Sequence, residues 1–263
     1  DVEIILKGQK FTTKAALPEE EKISNASLMI FDSNGLLEKD LYLGEGQSSC
    51  VMNLLRGQKY SIYACINFGY PVKVSRIEDL DEITFFMTYP DEYKEGLPMT
   101  ASAHDIQIKG EDVIELELER LMAKIDIRMD RSRLSDGVRM DVTGVKIGNC
   151  PKKMTPFSIN RVENEDECFT VGFRHGDLEC SDLNRLDYYG TSRPVSLYMF
   201  ENMQGKFSEH GIYSPQEKVF DENDPRKDIC SYIELEMDYS YEDMASKDQP
   251  LIYRFYLGED LNS

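Results

Sequence analysis

The side chains of this sequence best suited to catalysis are three histidines, His104, His175 and His210. An imidazole beside a carboxylate can act as a general acid or base, and His175 with Asp177 is the best such combination. However, no H-E-x-x-H, H-x-H or G-x-S-x-G pattern surrounds any of them. All three fall in segments that read as strand edges or loops, where most histidines have no chemical role. The sequence therefore predicts no catalytic residue and favours a protein that is not an enzyme.

Two acidic loops, 163–167 and 221–228, could offer carboxylate oxygens to calcium. Neither has the D-x-[DN]-x-[DN]-G spacing that wraps a cation, and Arg226 and Lys227 interrupt the second loop. No C-x-x-C pair indicates zinc, and no glycine-rich motif would hold a phosphate. Solvated loops are the better interpretation, so neither a metal nor a cofactor is predicted.

The cysteines leave the redox state open. Cys50 and Cys65 lie in two consecutive strand-like segments and could form a disulfide across a ladder. The alternative is that all the thiols are reduced and mostly buried, where they behave as small hydrophobic side chains. The second alternative is favoured. The six cysteines are at positions 50, 65, 150, 168, 180 and 230.

Charge and hydropathy argue against two classes of partner. The 263-residue chain has 49 acidic residues against 30 lysines and arginines, which gives a net charge of -19. Because the acids are spread along the chain and no basic stripe exists to neutralise phosphates, nucleic acid is not a predicted partner. The same charge disfavours an anionic lipid surface. No apolar run is long enough to predict a membrane-spanning helix.

Alternating apolar and polar residues predict short strands almost throughout, separated by polar turns, which is typical of β-sandwiches. The segment 26–43 predicts a hairpin around Asp32-Ser33-Asn34-Gly35, and 49–67 predicts a second around Arg56-Gly57-Gln58. One helix is predicted at 75–83, where Ser75 and Glu78 have the spacing of a capping box.

An abrupt change of phase divides the chain near its middle. In 113–130 the apolar residues hold even positions up to Leu118 and odd positions from Leu121 onward. A slip of one residue moves every side chain to the other face, so the chain either forms a bulge or passes from one core to another. The second interpretation is favoured because comparable lengths of chain lie on either side. We therefore predict two domains, 1–120 and 121–263.

The segment 195–207 places two large aromatic rings on one strand. Val195, Leu197 and Met199 alternate with a second set that includes Tyr198 and Phe200. Rings on the second face of a strand are either covered by protein or available for binding. We predict that both are covered; exposure of both would favour a binding module.

Six motifs resemble the Bacteroidales fimbrillin-like proteins, the pilin superfamily of type V fimbriae. The "SLYMFENMQGK" segment resembles the Y-x-x-E-N strand and turn of that family, in a form similar to its accessory, tip-like or anchor members rather than the bulk stalk pilin. The other motifs occur in the order of the family and extend over nearly the whole chain. They are ISNASLMIFDSNGLL (23–37), GQKYSIYACIN (57–67), LPMTA (97–101), LERLMAKIDI (118–127) and YRFYLGED (253–260).

The resemblance implies an all-β protein of two transthyretin-like β-sandwich domains in tandem, with the one short helix in the first. It also implies a structural or accessory subunit of cell-surface fimbriae that supports adhesion. Its partners would be other fimbrial subunits and a host or bacterial surface glycan or protein. Family members are exported, with a lipid anchor on the outer membrane before processing. Because they continue beyond the Leu-Gly-Glu-Asp segment, we expect the second domain to lack its last strands.

In this family an N-terminal strand is cut away after an arginine or lysine, and a strand of another subunit fills the groove. Val2, Ile4 and Leu6 alternate as such a removable strand would, within a segment 1–14. Lys14 is the position most similar to the cut site of the family, and Lys10 is the second choice. The alternative for residues 1–6 is a permanent edge strand.

A second class of function stays open, a surface glycan-binding lipoprotein of similar β-sandwich build. Exposed Tyr188, Tyr189 and Tyr198 would stack on sugar rings in that protein. The absence of tryptophan weakens this hypothesis, because sugar-binding platforms favour the widest aromatic ring.

Overall fold

The computed structural model describes residues 1–8, 18–87, 93–205, 220, 222–242, 244–245 and 250–258. Strands make up most of its regular structure, which confirms the predicted all-β class. The strands are β1 (Val2–Lys7), β2 (Ala26–Phe31), β3 (Leu37–Leu43), β4 (Ser49–Met52), β5 (Lys59–Ile66), β6 (Phe85–Phe86), β7 (Met99–Gln107), β8 (Asp112–Glu117), β9 (Glu119–Arg120), β10 (Met122–Ile127), β11 (Val138–Pro151), β12 (Lys153–Met154), β13 (Cys168–Arg174), β14 (Val195–Phe200), β15 (Tyr232–Tyr241), β16 (Met244–Ala245) and β17 (Leu251–Tyr256).

The helices are short. One α-helix, α1 (Leu178–Asn184), occurs within the described residues, and the sequence analysis did not predict it. It buries Cys180 and Leu183. The remaining helical segments are 3-10 turns at Pro18–Glu21, Ile77–Glu82, Tyr93–Glu95, Glu165–Glu167 and Pro225–Asp228.

The described residues form two compact units. Unit 1 contains the residues up to Met122 together with Lys153–Ile159, and unit 2 contains Ala123–Lys152 together with the residues from Asn160 onward. No sequence pattern indicates the return of Lys153–Ile159 to unit 1, where β12 pairs with β6.

Unit 1 is a sandwich of two sheets around one apolar core. The larger sheet has the strand order β3-β2-β5-β7-β9 and the smaller has the order β4-β1-β8. Leu28 and Ile62 of the larger sheet share this core with Ile4 and Leu116 of the smaller one. Each strand contributes alternate residues, as the pleat of a half-buried strand requires.

Unit 2 is built on a five-stranded sheet in which β11 and β15 are central. Its order is β13-β11-β15-β16, and β17 also pairs with β15, while β10 and β14 form a separate two-stranded sheet. The register of β11 on β15 shifts between Val142 and Gly144. Val145 and Ile147 of β11 are fully buried.

The first predicted hairpin is confirmed. β2 and β3 pair across the turn at 32–35, where the Asp32 carboxylate accepts hydrogen bonds from the backbone N–H groups of Asn34 and Leu36 at 2.8 and 2.9 Å. Gly35 takes the left-handed conformation that the turn needs, with a φ of +74°.

The second predicted hairpin is wrong. β4 pairs with β1, whereas β5 pairs with β2 and β7. The chain does turn after Leu55, but it passes from the smaller sheet to the larger one, because a period-2 pattern identifies a strand and not its partner. Cys50 and Cys65 therefore lie in different sheets, and none of the six cysteines forms a disulfide; four of them are buried.

The change of phase in 113–130 is a change of sheet. β8 pairs with β1, β9 with β7, and β10 with β14, so three successive strands join three sheets. A bulge within one strand is not needed to explain the pattern.

The predicted short helix is present as a 3-10 helix, but its capping box is wrong. Asp79, not Glu78, accepts hydrogen bonds from the backbone N–H groups of Ser75 and Arg76, both at 2.8 Å. The helix starts after Arg76 rather than after Ser75, so the acidic residue that reaches back is one position later.

Candidate functional site

The N-terminal strand lies in the middle of the smaller sheet of unit 1. β1 pairs in parallel with β8 through six partner positions and antiparallel with β4 through four. Ile4, for example, lies between Cys50 of β4 and Ile114 of β8. β1 is therefore not an edge strand. The alternative prediction for residues 1–6, a permanent edge strand, is wrong about the edge position.

Three side chains of β1 are seated in the core of unit 1. Val2 and Ile4 have no exposed surface and Leu6 has 4%, whereas Glu3 and Ile5 on the opposite face are partly exposed. Complete burial of such aliphatic side chains stabilises a fold by about 1.5–3 kcal/mol each, or roughly 5–9 kcal/mol for the three. Val2, Ile4 and Leu6 thus alternate along β1 as the sequence predicted, and in the structure all three face the core.

The end of β1 is held by backbone and ionic contacts. The Leu6 N–H donates to the Ser48 carbonyl at 2.8 Å, and the Leu118 N–H donates to the Lys7 carbonyl at 3.1 Å. The Lys7 ammonium lies 2.7 Å from the Glu115 carboxylate, and this hydrogen bond raises the pKa of Lys7. Both side chains are exposed, so water screens the ion pair and it contributes little to stability.

The segment that follows residues 9–17 is held in unit 1 by its own contacts. Glu20 in the first 3-10 turn is buried, and its carboxylate lies 3.6 Å from the Arg120 guanidinium. The same guanidinium donates to the Glu20 carbonyl at 3.2 Å. A cut between residues 8 and 18 would therefore free β1 without releasing the segment that follows.

Loss of β1 would leave an apolar slot with unpaired edges on both sides. Since neighbouring strands lie about 4.8 Å apart, β4 and β8 would face each other across about 10 Å. Their free N–H and C=O groups could pair with an incoming strand, while the vacated core positions would select alternating apolar side chains. The predicted cut sites Lys10 and Lys14 lie outside the described residues.

The histidines do not form a reactive site within the described part of the chain. His104 is exposed, and its Nδ1 lies 3.2 Å from the hydroxyl of Tyr63. His175 is also exposed, with no hydrogen bond to Asp177 recorded, and His210 lies outside the described residues.

The acidic loops bind their own chain. Asp224 forms an ion pair with Arg226 at 2.7 Å, and Glu167 accepts from the backbone N–H of Glu163 at 2.9 Å. Among the residues described, no group of three or more His, Cys, Asp or Glu side chains is placed to hold a metal ion. Nor does the described structure contain a helix long and apolar enough to span a bilayer.

The aromatic residues of β14 are covered, as predicted. Tyr198 is 8% exposed and Phe200 is fully buried. Sugar stacking therefore cannot use Tyr198, while Tyr188 and Tyr189 are 95% and 78% exposed.

Sequence reasoning missed the structural role of Asn202, which ends the Glu-Asn turn after β14. Its Nδ2 donates to the Ile229 carbonyl at 2.8 Å and to the Ser231 hydroxyl at 2.9 Å. Its Oδ1 accepts from the Val162 N–H at 3.2 Å and from the Gln204 amide at 2.7 Å. One amide thus ties together three separate segments of unit 2.

Asn67, directly after β5, has the same role in unit 1. Its Nδ2 donates to the carbonyls of Lys22 and Leu97, both at 2.8 Å, and its Oδ1 accepts from the Ser24 N–H at 2.8 Å. The signal in the sequence was an asparagine one or two positions after the end of each of two apolar strands.

Comparison with known proteins identifies the fold. A sequence model of a domain of unknown function (DUF4906) matches residues 197–263. No curated protein sequence matches the chain.

Two solved structures are similar over nearly the whole chain. A fimbrilin from Porphyromonas gingivalis W83 is 13% identical, with a TM-score of 0.61 over 96% of this chain and 79% of that one. A fimbrial assembly protein from Parabacteroides distasonis ATCC 8503 is also 13% identical, with a TM-score of 0.53 over 97% of this chain and 84% of that one. The chain therefore has a fimbrillin-like fold, which confirms the resemblance found in its motifs.

Proposed function

We propose that this chain is a structural or accessory subunit of cell-surface fimbriae, assembled by donor-strand exchange and supporting adhesion. In this proposal residues 1–14 are the removable segment, and Lys14 or Lys10 is the cut site. A strand of another fimbrial subunit then occupies the slot between β4 and β8. The fold shared with a fimbrilin and a fimbrial assembly protein supports a structural role rather than catalysis.

The placement of β1 is the observation that carries the proposal. Val2, Ile4 and Leu6 are buried in the main core of unit 1, and the chain after Gly8 connects their strand to the next described segment, which begins at Pro18. Glu20 and Arg120 hold the next segment independently. Cleavage would therefore vacate a complete strand position while leaving both neighbouring strands in place.

The subunit type forms part of the proposal. We infer an accessory, tip-like or anchor member, exported and held at the outer membrane by a lipid anchor on its precursor. Its two domains are those predicted from the sequence, 1–120 and 121–263. A surface glycan-binding lipoprotein is the second candidate, and the exposure of Tyr188 and Tyr189 is the observation that favours it.

Brief digestion of the full-length protein with a Lys/Arg-specific protease tests strand exchange. Intact mass should show one early cut after Lys14 or Lys10 and loss of the N-terminal strand, and native size should show new oligomers. The Lys10→Gln/Lys14→Gln variant should stay uncut and monomeric. Resistance of the unaltered chain at both lysines would overturn the proposal.

Competition with a peptide separates exchange from nonspecific association. A synthetic peptide of residues 1–8 should occupy the slot of the cut protein and block oligomer growth. The same peptide with Ile4→Asp should not, because its carboxylate would be buried without a partner. A cut monomer that binds the peptide but does not polymerise is the result expected of a tip or anchor subunit.

A further inference from the structure

A tight turn in unit 2 presents two adjacent tyrosines to solvent. Asp187-Tyr188-Tyr189-Gly190 connects the bridge partners Leu186 and Ser192. Tyr188 is 95% exposed and Tyr189 is 78% exposed, with their ring centroids 5.4 Å apart and their planes at 84°. Large aromatic rings so exposed have no packing role in the unit itself.

The turn is fixed by its own hydrogen bonds. The Asp187 carboxylate accepts from the backbone N–H groups of Tyr189 and Thr191, both at 2.9 Å, and the Gly190 N–H donates to the Asp187 carbonyl at 3.1 Å. Gly190 has a φ of +80°, which favours glycine. A preformed turn loses little conformational freedom when it binds a ligand.

A neighbouring segment brings arginines to this turn. The Arg131 N–H donates to the Gly190 carbonyl, and the Ser192 N–H donates to the Met129 carbonyl, both at 2.9 Å. The antiparallel bridge is Asp130 with Thr191. Extending the pairing of this bridge by two residues places Arg128 opposite Arg193.

Arg133 follows a residue whose backbone packs against the turn. A β-carbon on Gly190 would lie 3.3 Å from the Cα of Ser132, so the chain at Ser132 and Arg133 passes directly against the turn. Arg133 is exposed, as are Arg128 and Arg193.

The local charge is opposite to that of the whole protein. The segments 128–133 and 184–193 contain five arginines and two aspartates, although the chain carries 49 acidic and 30 basic residues. The Arg131 guanidinium donates a hydrogen bond to the side-chain oxygen of Asn184 at 2.7 Å, and the Arg185 guanidinium forms an ion pair with the Asp182 carboxylate at 3.5 Å. Within the described part of the chain, the side chains of Arg128, Arg133 and Arg193 form no hydrogen bond or salt bridge. The pKa of Asp130 is lowered by hydrogen bonds from Ser132 and, to a smaller extent, by the charge of Arg133, so one carboxylate already faces that arginine.

Like charges on facing strands are unfavourable unless something neutralises them. Arg128, Arg133, Tyr188, Tyr189 and Arg193 together form what we call the tyrosine–arginine surface. We propose that this surface binds an anionic saccharide. This inference rests on the adhesive part of the proposed function and names the class of ligand.

The chemistry of both residue types fits this ligand. The electron-rich face of a tyrosine ring packs against the C–H groups of a sugar, and guanidinium groups bind carboxylate or sulfate in a bidentate manner. A long nucleic acid is a poorer fit, because beyond this small surface it would meet a chain with a net charge of -19.

The test uses the uncut full-length chain on an array of sialylated, uronic-acid and sulfated oligosaccharides printed beside their neutral parents. We expect binding to acidic glycans, at least tenfold weaker binding to the neutral parents, and weakening with added salt. The Arg133→Gln/Arg193→Gln and Tyr189→Ala variants should each lose at least tenfold in affinity. Arg56→Gln and Tyr70→Ala, exposed positions in unit 1, are the matched controls and should bind as the unaltered chain does.

Three results would overturn the inference: an array without bound glycans, equal binding to acidic glycans and their neutral parents, or undiminished binding by both surface variants. Because the chain is not cut, a blank array leaves strand exchange unaffected. Failed oligomer growth after cleavage, in turn, leaves the tyrosine–arginine surface unaffected.

Discussion

Replacing Ile4 by alanine should destabilise unit 1 far more than the same replacement of its neighbour Ile5. The two side chains are chemically identical but point to opposite faces of β1. Ile4 is fully buried, whereas Ile5, between Ser49 and Glu115, is partly exposed. The difference in stability between the two variants therefore measures how much the buried face of β1 contributes to the folding of unit 1.

The expected difference follows from burial. Ile4→Ala removes every side-chain carbon beyond Cβ, and at about 0.8 kcal/mol per carbon the transfer contribution is about 2.4 kcal/mol. The cavity left in a closed core raises the total to about 3–4 kcal/mol. Ile5→Ala leaves no closed cavity and removes less buried surface, so its expected effect is about 1 kcal/mol.

Urea unfolding followed by tyrosine fluorescence measures both losses, and hydrogen exchange of β1 and β8 amides assigns them to unit 1. Equal losses of unfolding free energy for the two variants, or a loss below about 1 kcal/mol for Ile4→Ala, would show that the buried face of β1 does not stabilise unit 1. Either result would also weaken the strand-exchange proposal.

Three other properties can be checked by unfolding experiments. Gly148→Ala should lower the free energy of unfolding in urea by about 1–3 kcal/mol, because its Cβ would lie 2.0 Å from Cζ of Tyr232, and Tyr232→Ser should remove that penalty. Asn202→Ala should lower the free energy of unfolding by about 2–3 kcal/mol, because polar groups of three segments lose their hydrogen-bond partner. Asn202→Asp restores only the acceptor atoms, so it should recover part of that lost stability. Burial raises the pKa of the Cys150 thiol from 9.0 to about 12. Between these values the unfolded chain loses a proton that the folded chain keeps, so Cys150 alone should lower the unfolding free energy measured in urea by about 1.4 kcal/mol per unit of rising pH, in addition to the contributions of the other buried or partly buried thiols.

The controls for these three experiments are built into the variants. An unchanged stability of Gly148→Ala would mean that the Tyr232 ring moves aside freely. If Asn202→Asp is as stable as the unaltered chain, the Nδ2 hydrogen bonds contribute nothing. Cys150→Ala removes the titrating thiol, so its stability should fall less steeply above pH 9; an identical slope would contradict the assigned cause.

Local alternation was enough to predict the strands that face a core. The alternation of Val2, Ile4 and Leu6 and the covered rings of β14 were predicted from the pattern of apolar residues along single strands. Each of these features depends on which face of one strand is apolar, and that information is local.

Pairing partners were not readable in the same way. The turn after Leu55 has the residues of a hairpin, yet β4 and β5 belong to different sheets. The slot around β1 is formed by β4 and β8, and nothing in the 2–7 segment specifies either partner. Long-range pairing is selected by the packing of the whole core, which short sequence windows do not contain.

The polar network around Asn202 and the tyrosine–arginine surface were missed for a related reason. Each joins segments distant in sequence, such as 128–133 with 184–193, and no spacing rule connects them. The tyrosines were noticed as aromatic residues, but their arginine neighbours became visible only through the bridge at Asp130 and Thr191.

The parallel pairing of β1 with β8 also has a kinetic consequence. Lys7 and Glu115 are 108 positions apart, so β1 cannot complete its sheet until β8 has been made. Closing so long a loop is entropically slow, and contacts of this separation form late in folding. Substitutions in β1 should then accelerate unfolding while barely changing the folding rate.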